Sequence, residues 1–276
     1  MIRLIACDLD GTLLSSHDLI HPDNKKAICA AQQQGVHFVV ASGRSCGGCS
    51  QLLKSNGMDA MIIGVNGCEQ MDAPFGALRS RHFLRPDAAR AVVEALLHSG
   101  LDGCIYGEDG HVYTSEGALS RTHMGTREDN ARRAAQGLAP VYAGEAALEK
   151  ALEGRVMKAF CIEREGQGAA FAAAKEACAG IAGVSLTSSW ADNFEVMPEG
   201  VDKGVALAEL CARLGIEARE VLAFGDGEND WPMLQWAGFG YVMGNAGAEM
   251  KRGAKFLAGD CSDGGVGKVV WGMLFV

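Results

Sequence analysis

Short apolar runs alternate with helix-like stretches toward both ends of the 276-residue chain. The apolar runs that predict strands are Ile2–Cys7, Phe38–Ala41, Met61–Val65, Val221–Phe224 and Phe239–Met243. Unbroken apolar runs of this length are typical of strands that a parallel sheet buries on both faces. The stretches Lys25–Gln34 and Val205–Leu214 have the pattern of helices between such strands. The alternation predicts an α/β core with a mostly parallel sheet.

The middle of the chain has a different pattern, which predicts an α+β unit inserted into this core. Pro86 suits the first turn of a helix, and Ala169–Cys178 is an alanine-rich helical stretch. Strands are predicted beside a turn at Gly107–Gly110, over Val156–Ile162, and in a hairpin within residues 184–197 that turns at residues 191–193. We expect the insert to cover roughly residues 84–189.

Composition narrows the class of protein. The chain is 48% hydrophobic, which excludes general disorder, and its net charge of −9 gives no basic surface for nucleic acid. It contains neither a signal-peptide pattern nor an apolar run of about 18 residues, so we expect no membrane partner. Most cysteines lie in apolar runs, as expected for thiols in a reducing compartment. We therefore expect a cytoplasmic monomer or homodimer.

Polar clusters follow three of the predicted strands, at the strand ends where ligands bind in open parallel sheets. Asp8-Leu9-Asp10 follows the first strand, Ser42-Gly43-Arg44 the second, and Gly225–Asp230 the fourth. Carboxylates gathered at a strand end are costly unless a cation compensates them, and Mg²⁺ prefers oxygen ligands. A serine hydroxyl beside free backbone N–H groups suits a phosphate. These clusters predict a site for magnesium and phosphate.

Lys203 is the fourth candidate, at the predicted start of a helix. A lysine in this position opposes the helix macrodipole. The cost is explained if its ammonium group binds a phosphate or a carboxylate. Alone, Lys203 would be a solvated surface residue and Ser42-Gly43 an ordinary turn, so the prediction depends on the combination.

In this order, the four elements DLDGTLL, SGR, Lys203 and GDGEND resemble the haloacid dehalogenase-like (HAD) phosphohydrolases. The runs Asn66-Gly67 and Asp263–Val266 are similar to those of the Cof-type subfamily. The resemblance implies a Rossmann-like catalytic core of residues 1–83 and 190–276. It also implies that residues 84–189 form a C2-type cap that selects the substrate.

The resemblance also implies a role for each acidic residue. Asp8 would be the nucleophile, forming an aspartyl-phosphate, and a ligand of Mg²⁺. Asp10 would protonate the leaving oxygen, later activate water, and bind the metal through its backbone carbonyl. Asp226 would be the remaining protein ligand of the metal. Asp230 would act from just outside the metal ligands, orienting a metal-bound water or Lys203.

The remaining residues would bind the phosphate group of the substrate. By this resemblance, the Ser42 hydroxyl and the N–H groups of Leu9 and Gly43 would contact phosphoryl oxygens. Lys203 and Asn229 would hold the phosphate from the other side.

The implied function is a Mg²⁺-dependent phosphatase that hydrolyses small phosphorylated metabolites, such as a sugar phosphate or a similar phosphomonoester, through an aspartyl-phosphate. Asp10 favours phosphatase or phosphomutase chemistry over dehalogenation. Two alternatives stay open. A sugar phosphomutase would pass the phosphoryl group to another hydroxyl of the sugar. A non-catalytic phosphometabolite-binding protein would bind without turnover, although pure binding does not require Asp10.

Two features near the second strand have no assigned role. Arg44 is a candidate for either an ion pair or a contact with the substrate. Cys46 and Cys49 have the spacing of a metal-binding or redox pair, but a structural zinc site needs about four ligands and no second pair lies nearby. We interpret that spacing as coincidental.

Overall fold

The computed structural model describes residues 1–16, 18–115, 127–144, 146–190 and 192–275. Contacts between Cα atoms divide the chain into two compact units. The first unit consists of Met1–Ser80 and Asp202–Val276, and the second of Arg81–Val201. Within the described residues, no helix is long and apolar enough to cross a membrane.

The strands are numbered in chain order. They are β1 (Leu4–Cys7), β2 (Leu14–Ser16), β3 (Leu19–Ile20), β4 (His37–Ala41), β5 (Met61–Gly64), β6 (Glu69–Met71), β7 (Leu78–Arg81), β8 (Asp102–Gly107), β9 (Val112–Thr114), β10 (Val141–Ala143), β11 (Val156–Ile162), β12 (Val184–Thr187), β13 (Asn193–Pro198), β14 (Val221–Gly225), β15 (Phe239–Val242) and β16 (Phe256–Leu257).

The helices are numbered in the same way. They are α1 (Pro22–Gln33), α2 (Cys46–Ser55), α3 (Pro86–Ser99), α4 (Arg127–Ala135), α5 (Ala147–Lys150), α6 (Gly168–Ala179), α7 (Lys203–Leu214), α8 (Trp231–Trp236), α9 (Ala248–Gly253) and α10 (Gly265–Leu274).

The first unit is built on an eight-stranded sheet in the order β16-β15-β14-β1-β4-β5-β6-β7. The strands from β16 to β5 run parallel, and β6 is antiparallel to β5. All five predicted core strands are present, each within two residues of the predicted bounds. The α/β class with a mostly parallel sheet is confirmed.

Helices cover both faces of this sheet. Ile5 and Cys7 of β1 pack on one face with side chains of α1, α2 and α10. Leu4 and Ala6 point to the opposite face and pack with α7 and α8. Burial of a single Leu or Ile side chain contributes about 1.5 to 3 kcal/mol, so this two-sided burial explains why the strands are apolar throughout.

The start of α7 is fixed by its own sequence and by a close contact with the loop after β5. The Asp202 carboxylate caps the helix by accepting a hydrogen bond from the Val205 N–H at 2.7 Å. Gly67 has a φ of +106°, and a Cβ atom there would lie 2.5 Å from the Asp202 carbonyl oxygen. Only glycine allows this approach, which holds Lys203, the first residue of α7, in place.

The second unit has a six-stranded sheet in the order β10-β9-β8-β11-β13-β12, antiparallel except between β10 and β9. Helices α3, α5 and α6 pack on one face, against residues such as Ile105, Ala159 and Phe194. The opposite face carries Phe160 and the buried pair Lys158 and Glu195. This is the inserted α+β arrangement that the sequence predicted.

The second unit ends later than the predicted boundary at residue 189. Strand β13 pairs with β11 and β12 inside the second sheet, so the unit continues to Val201. The predicted hairpin within residues 184–197 is formed by β12 and β13. Part of its predicted turn, residue 191, lies outside the described residues.

Candidate active site

The clusters predicted at the strand ends lie at one edge of the core sheet. Strand β1 lies between β14 and β4, and all three run parallel, so their carboxyl ends are neighbours. Asp8 follows β1, Ser42 follows β4, and Asp226 follows β14. The Asp8 N–H donates to the Phe224 carbonyl at 3.0 Å, which continues the strand pairing one residue into the site.

Three carboxylates form the acidic centre of this edge. Oxygen atoms of Asp8, Asp226 and Asp230 all lie within 4.8 Å of one another. Thr12 donates to Asp226 Oδ1 at 2.7 Å, and the N–H groups of Asp226 and Gly227 both donate to Asp230 Oδ2 at 2.9 Å. The protein therefore holds the carboxylates in fixed orientations, although like charges this close repel each other.

Lys203 supplies the only positive charge in direct contact with this cluster among the described residues. Its Nζ lies 2.7 Å from Asp8 Oδ1 and 2.6 Å from Asp230 Oδ1, and its side chain is fully buried. Burial opposes the charge of the ammonium group, but the facing carboxylates of Asp230 and Asp8 outweigh it and raise the pKa of Lys203. The carboxylate partners expected for Lys203 are confirmed, and its contact with a substrate phosphate stays a prediction.

One ammonium group does not neutralise three carboxylates. Burial and the uncompensated negative charge raise the pKa values of two of them. Burial, followed by the charge of Asp230, raises the pKa of Asp8 well above its usual value. The same two causes raise the pKa of Asp226 to about 6. The site therefore favours a bound proton or a further cation.

A single π-type turn delivers the DLDG motif to this centre. The Leu13 N–H donates to the Asp8 carbonyl, and the Leu14 N–H to the Leu9 carbonyl, five residues back in each case. Gly11, inside the turn, has a φ of +79°, and a Cβ atom there would lie 2.3 Å from Asp226 Oδ2. Glycine is required for both reasons, since it alone permits the turn and the close approach of Asp226.

The donor set fits a hard divalent cation. Both oxygens of Asp230 accept hydrogen bonds, and Lys203 and Thr12 occupy Oδ1 of Asp8 and of Asp226. The Oδ2 atoms of Asp8 and Asp226 accept no hydrogen bond from the described residues. Carboxylate oxygens of this kind are the ligands Mg²⁺ prefers, and a cation would offset the excess negative charge of the cluster.

The predicted phosphate-binding residues lie beside the acidic cluster. Ser42 is buried, and its Oγ accepts a hydrogen bond from the Arg44 N–H at 3.1 Å. The Asn229 amide donates to Asn66 Oδ1 at 3.1 Å. Leu9 buries its side chain in the core and Gly43 has none, so both would reach a ligand only through the backbone. These placements are compatible with phosphate binding and do not test it.

The Asp10 side chain is not part of the acidic cluster. Its carboxylate accepts two hydrogen bonds from Arg44, one from Nε at 2.8 Å and one from Nη2 at 2.6 Å. We expected Asp8, Asp10 and Asp226 to form a dense negative centre around the metal, with Asp10 as a ligand through its backbone carbonyl. The third acid of that centre is instead Asp230, because the irregular backbone of the turn at Asp10 and Gly11 directs the Asp10 carboxylate to Arg44. The open question about Arg44 is answered by an ion pair.

Sequence reasoning missed several residues that shape the site. Thr12 orients Asp226, Asn66 receives the Asn229 amide, and Asn245 donates to the Gly11 carbonyl at 2.7 Å. Thr12 and Asn66 lie inside motifs that the sequence analysis identified, and that position was the only signal of a role for them. Asn245 follows β15 with no such motif, and only the tertiary structure brings it to Gly11.

Cys46 and Cys49 are free, buried thiols at the start of α2. Burial raises the pKa of Cys49 to about 12 and that of Cys46 further still. Thiols held protonated in this way are poor metal ligands and poor nucleophiles. The arrangement of the two thiols supports neither metal binding nor redox chemistry.

Comparison with known proteins agrees with this geometry. Residues 5–270 match the family model of haloacid dehalogenase-like hydrolases, so the chain belongs to that family. It is thus an enzyme, a phosphatase of the HAD superfamily, and the resemblance drawn from the four motifs is confirmed.

Curated relatives cover almost the whole chain. The chain is 29% identical over 98% of its length to the 5-amino-6-(5-phospho-D-ribitylamino)uracil phosphatase YcsE of Bacillus subtilis, covering 94% of that protein. It is 31% identical to an HMP-PP phosphatase of Cronobacter sakazakii, over 89% of this chain and 85% of that one. It is 26% identical to the pyridoxal phosphate phosphatase YbhA of Escherichia coli, over 99% and 98%.

Solved structures show the same fold. A haloacid dehalogenase-like hydrolase from B. subtilis superimposes with a TM-score of 0.84 at 24% identity, covering 99% of this chain and all of the other. A sugar phosphatase of HAD subclass IIB has a TM-score of 0.80 at 20% identity, with the same coverage.

We predict that Mg²⁺ stabilises the protein more at pH 7.5 than at pH 5.0. The pKa of Asp226 is higher in the folded than in the unfolded chain, so folding without metal loses stability as pH rises from about 4 to about 6. Mg²⁺ relieves that loss above pH 6, whereas protons compete with it below. The measurement is the Mg²⁺-induced shift in Tm at each pH.

Asp226→Asn is the control for this experiment, because it keeps the shape of the side chain and removes the titrating group. Its Tm shift with Mg²⁺ should be smaller than that of the wild type and should depend less on pH, with Asp8 as the remaining titrating ligand. A wild-type shift of equal size at both pH values would contradict the prediction.

We predict that Lys203→Met lowers the free energy of unfolding of the metal-free protein by about 3 to 5 kcal/mol, as when one partner of a buried ion pair is removed. The change leaves Asp8 and Asp230 buried without a counter-charge. Urea unfolding measures the loss. The double variant Lys203→Met with Asp230→Asn should recover part of it, and a single variant as stable as the wild type would refute the account of Lys203.

Proposed function

We propose that the protein is a Mg²⁺-dependent phosphatase that hydrolyses small phosphorylated metabolites through an aspartyl-phosphate on Asp8. The observation that carries the proposal is the buried Asp8 carboxylate, held by Lys203 within an acidic cluster at the carboxyl edge of the sheet. A carboxylate attacks a phosphate dianion only where positive charge offsets the repulsion. Lys203 provides part of that charge, and the carboxylates of Asp8 and Asp226 would hold a cation that provides the rest.

In the first step, the Asp8 carboxylate forms a bond to phosphorus while the bond from phosphorus to the leaving oxygen breaks. Asp10 donates a proton to that oxygen, so the product leaves as a neutral alcohol. Ser42, Asn229 and the N–H groups of Leu9 and Gly43 bind the phosphoryl oxygens during transfer.

In the second step, water attacks the phosphorus atom of the aspartyl-phosphate. Asp10, now ionised, accepts a proton from that water, and the bond between phosphorus and Asp8 breaks to release inorganic phosphate. The proton count closes over the two steps, because the proton given to the alcohol is regained from water.

The carboxylates of Asp8 and Asp226, with the backbone carbonyl of Asp10, would hold the Mg²⁺ ion. When bound, the ion supplies charge neutralisation and fixes the phosphoryl group against its nucleophile. Asp230 keeps Lys203 and the backbone after β14 in position, as its three hydrogen bonds from Lys203, Asp226 and Gly227 indicate.

Names of relatives support a small-molecule substrate. Those relatives act on a phosphoribitylamino-uracil, HMP-PP and pyridoxal phosphate, all small organic phosphates with different organic groups. We extend the general class to this chain, a sugar phosphate or a similar phosphomonoester. The reducing cytoplasm is the proposed compartment, supported by ten free cysteines.

We predict that Asp8→Asn lowers Mg²⁺-dependent release of inorganic phosphate by about a thousandfold or more, as loss of a covalent nucleophile does. The amide is isosteric with the carboxylate but cannot form the aspartyl-phosphate. Phosphate release from p-nitrophenyl phosphate, with Mg²⁺ and then with a chelator, measures the effect.

Asp59→Asn is a matched control for Asp8→Asn, since Asp59 lies on the surface of the same unit. It should keep wild-type activity and lose that activity only with the chelator. Full Mg²⁺-dependent activity in Asp8→Asn would rule out Asp8 as the nucleophile.

We also propose that the second unit acts as the cap that selects the substrate. Its sheet carries a buried ion pair, with Lys158 Nζ 3.0 Å from Glu195 Oε1. The ammonium group also lies 4.9 Å from the centre of the Tyr106 ring, and the Ser189 hydroxyl donates to Glu195 at 3.0 Å. A donor and an acceptor side by side beside aromatic rings suit the polar edge of an organic group.

We predict that the double variant Lys158→Met with Glu195→Gln changes the order of preference across a panel of phosphorylated metabolites. Replacing both partners avoids an unpaired buried charge. The KM for the best substrate should rise by about tenfold, the equivalent of one lost hydrogen bond to a charged group. The kcat for p-nitrophenyl phosphate should stay near that of the wild type. An unchanged ranking and unchanged KM values would argue against a selective role for this pair.

A further inference from the structure

Arg44 makes more polar contacts at the site than its place beside the Ser42-Gly43 turn requires. Its Nε and Nη2 donate to the two oxygens of Asp10 at 2.8 and 2.6 Å, which is the paired, parallel geometry of a strong guanidinium–carboxylate contact. Its third nitrogen, Nη1, lies 2.9 Å from Asp18 Oδ1, between β2 and β3. All three nitrogens of the guanidinium group are therefore engaged with acids.

The backbone of Arg44 is fixed independently of these ion pairs. Its N–H donates to Ser42 Oγ at 3.1 Å, and its carbonyl accepts a hydrogen bond from the Val65 N–H at 2.8 Å. The guanidinium group thus extends from a base that is attached both to the second motif and to the end of β5. The Asp10 side chain, by contrast, is about half exposed.

An exposed carboxylate that is not held samples several rotamers, and fixing it costs conformational entropy. Two parallel hydrogen bonds from one rigid group select a single orientation for Asp10. They occupy two of the four lone-pair sites on its oxygens, so the others remain available to water or a leaving oxygen.

The alternative explanation for these contacts is a surface ion pair that contributes to stability. Exposed pairs of this kind contribute little, typically about 0 to 1 kcal/mol. The side chains of Arg44 and Asp10 are 36% and 49% exposed, so solvent limits what this pair contributes, although its bidentate geometry makes it stronger than a single contact. Stability alone does not account for a guanidinium group that binds both oxygens of the proposed proton donor.

We propose that Arg44 is a positioning residue, which holds the Asp10 carboxylate in the orientation needed for proton transfer to the leaving oxygen. The inference rests on the proposed function, in which Asp10 is the acid. Arg44 itself touches neither the phosphoryl group nor the nucleophile in this account. Its effect on the reaction passes through Asp10, and the contact with Asp18 holds the guanidinium group from a second side.

The test compares two substrates that differ in their need for a proton. The alkoxide of benzyl phosphate leaves poorly unless it is protonated, whereas p-nitrophenolate leaves readily as an anion. First-turnover release of the alcohol or phenol isolates the first chemical step from the later hydrolysis of the aspartyl-phosphate. The variants are Arg44→Ala, Arg44→Lys, Asp10→Asn, and Arg44→Ala combined with Asp10→Asn.

Arg44→Ala should slow release from benzyl phosphate by about tenfold or more beyond its effect on p-nitrophenyl phosphate, a part of the general-acid contribution. KM should change little for either substrate. Asp10→Asn should show the same selectivity for the leaving group, and Arg44→Ala should add no further loss in that background. Arg44→Lys should recover only part of the rate, because an ammonium group cannot make the paired contact.

Arg3→Ala is the matched control, since it removes an exposed Arg3–Glu220 pair at the other end of β1. It should leave both rates unchanged, and its Tm should shift about as much as that of Arg44→Ala.

Three results would overturn the inference. Equal slowing of both substrates by Arg44→Ala, additional slowing in the Asp10→Asn background, or a rise in KM would mean that Arg44 acts otherwise than through Asp10. These results leave the proposed phosphatase intact, provided that Asp8→Asn is inactive. If Asp10→Asn itself shows no selectivity for the leaving group, the role of Asp10 in the proposed function is wrong and the inference fails with it.

Discussion

The grouping of buried Asp8 and Asp230 with partly buried Asp226 around a single ammonium group is the constraint on which the rest of the site depends. Carboxylates leave water only where charge and hydrogen bonds replace hydration. Lys203, Thr12 and the N–H groups after β14 supply that replacement in part. The charge that remains unbalanced favours a bound cation, so an unfavourable feature of the protein without metal is the basis of its proposed chemistry.

The fold makes this arrangement possible through the parallel sheet. Strands β14, β1 and β4 end at one edge, and each is held by apolar packing on both faces. The acids therefore sit on rigid elements rather than on long loops, which limits the freedom of each carboxylate. The π-type turn after β1 adds a local constraint, because it places Asp8 toward the cluster and turns Asp10 toward Arg44.

The two carboxylates of the DLDG motif have different environments, which suit their different proposed roles. Asp8 is buried and contacts Lys203, which suits a nucleophile that is shielded from water. Asp10 lies two residues later, is half exposed, and is paired with Arg44. The same motif thus presents one carboxylate in a low-dielectric site and one that can exchange protons with solvent. The second unit carries its own buried pair, Lys158 and Glu195, on a separate sheet with a separate core.

The amino-acid sequence by itself determined the fold class, the core strands and the motifs of the site. Apolar runs bounded by polar clusters are a local signal, and parallel topology then requires neighbouring strand ends to meet. Asp8, Asp226 and Asp230 were predicted on that basis and Lys203 from its place at a helix start, and the structure brings these four together.

Only the tertiary structure decided which partner each charged group has. Arg44 pairs with Asp10 and Asp18, and β13 joins the second sheet rather than the core. Asn245 reaches Gly11 across 234 positions of the chain. The physical reason is that hydrogen bonds and ion pairs depend on the direction of individual side chains in space. Hydrophobic periodicity fixes the face of an element but not the atom that a polar group will meet.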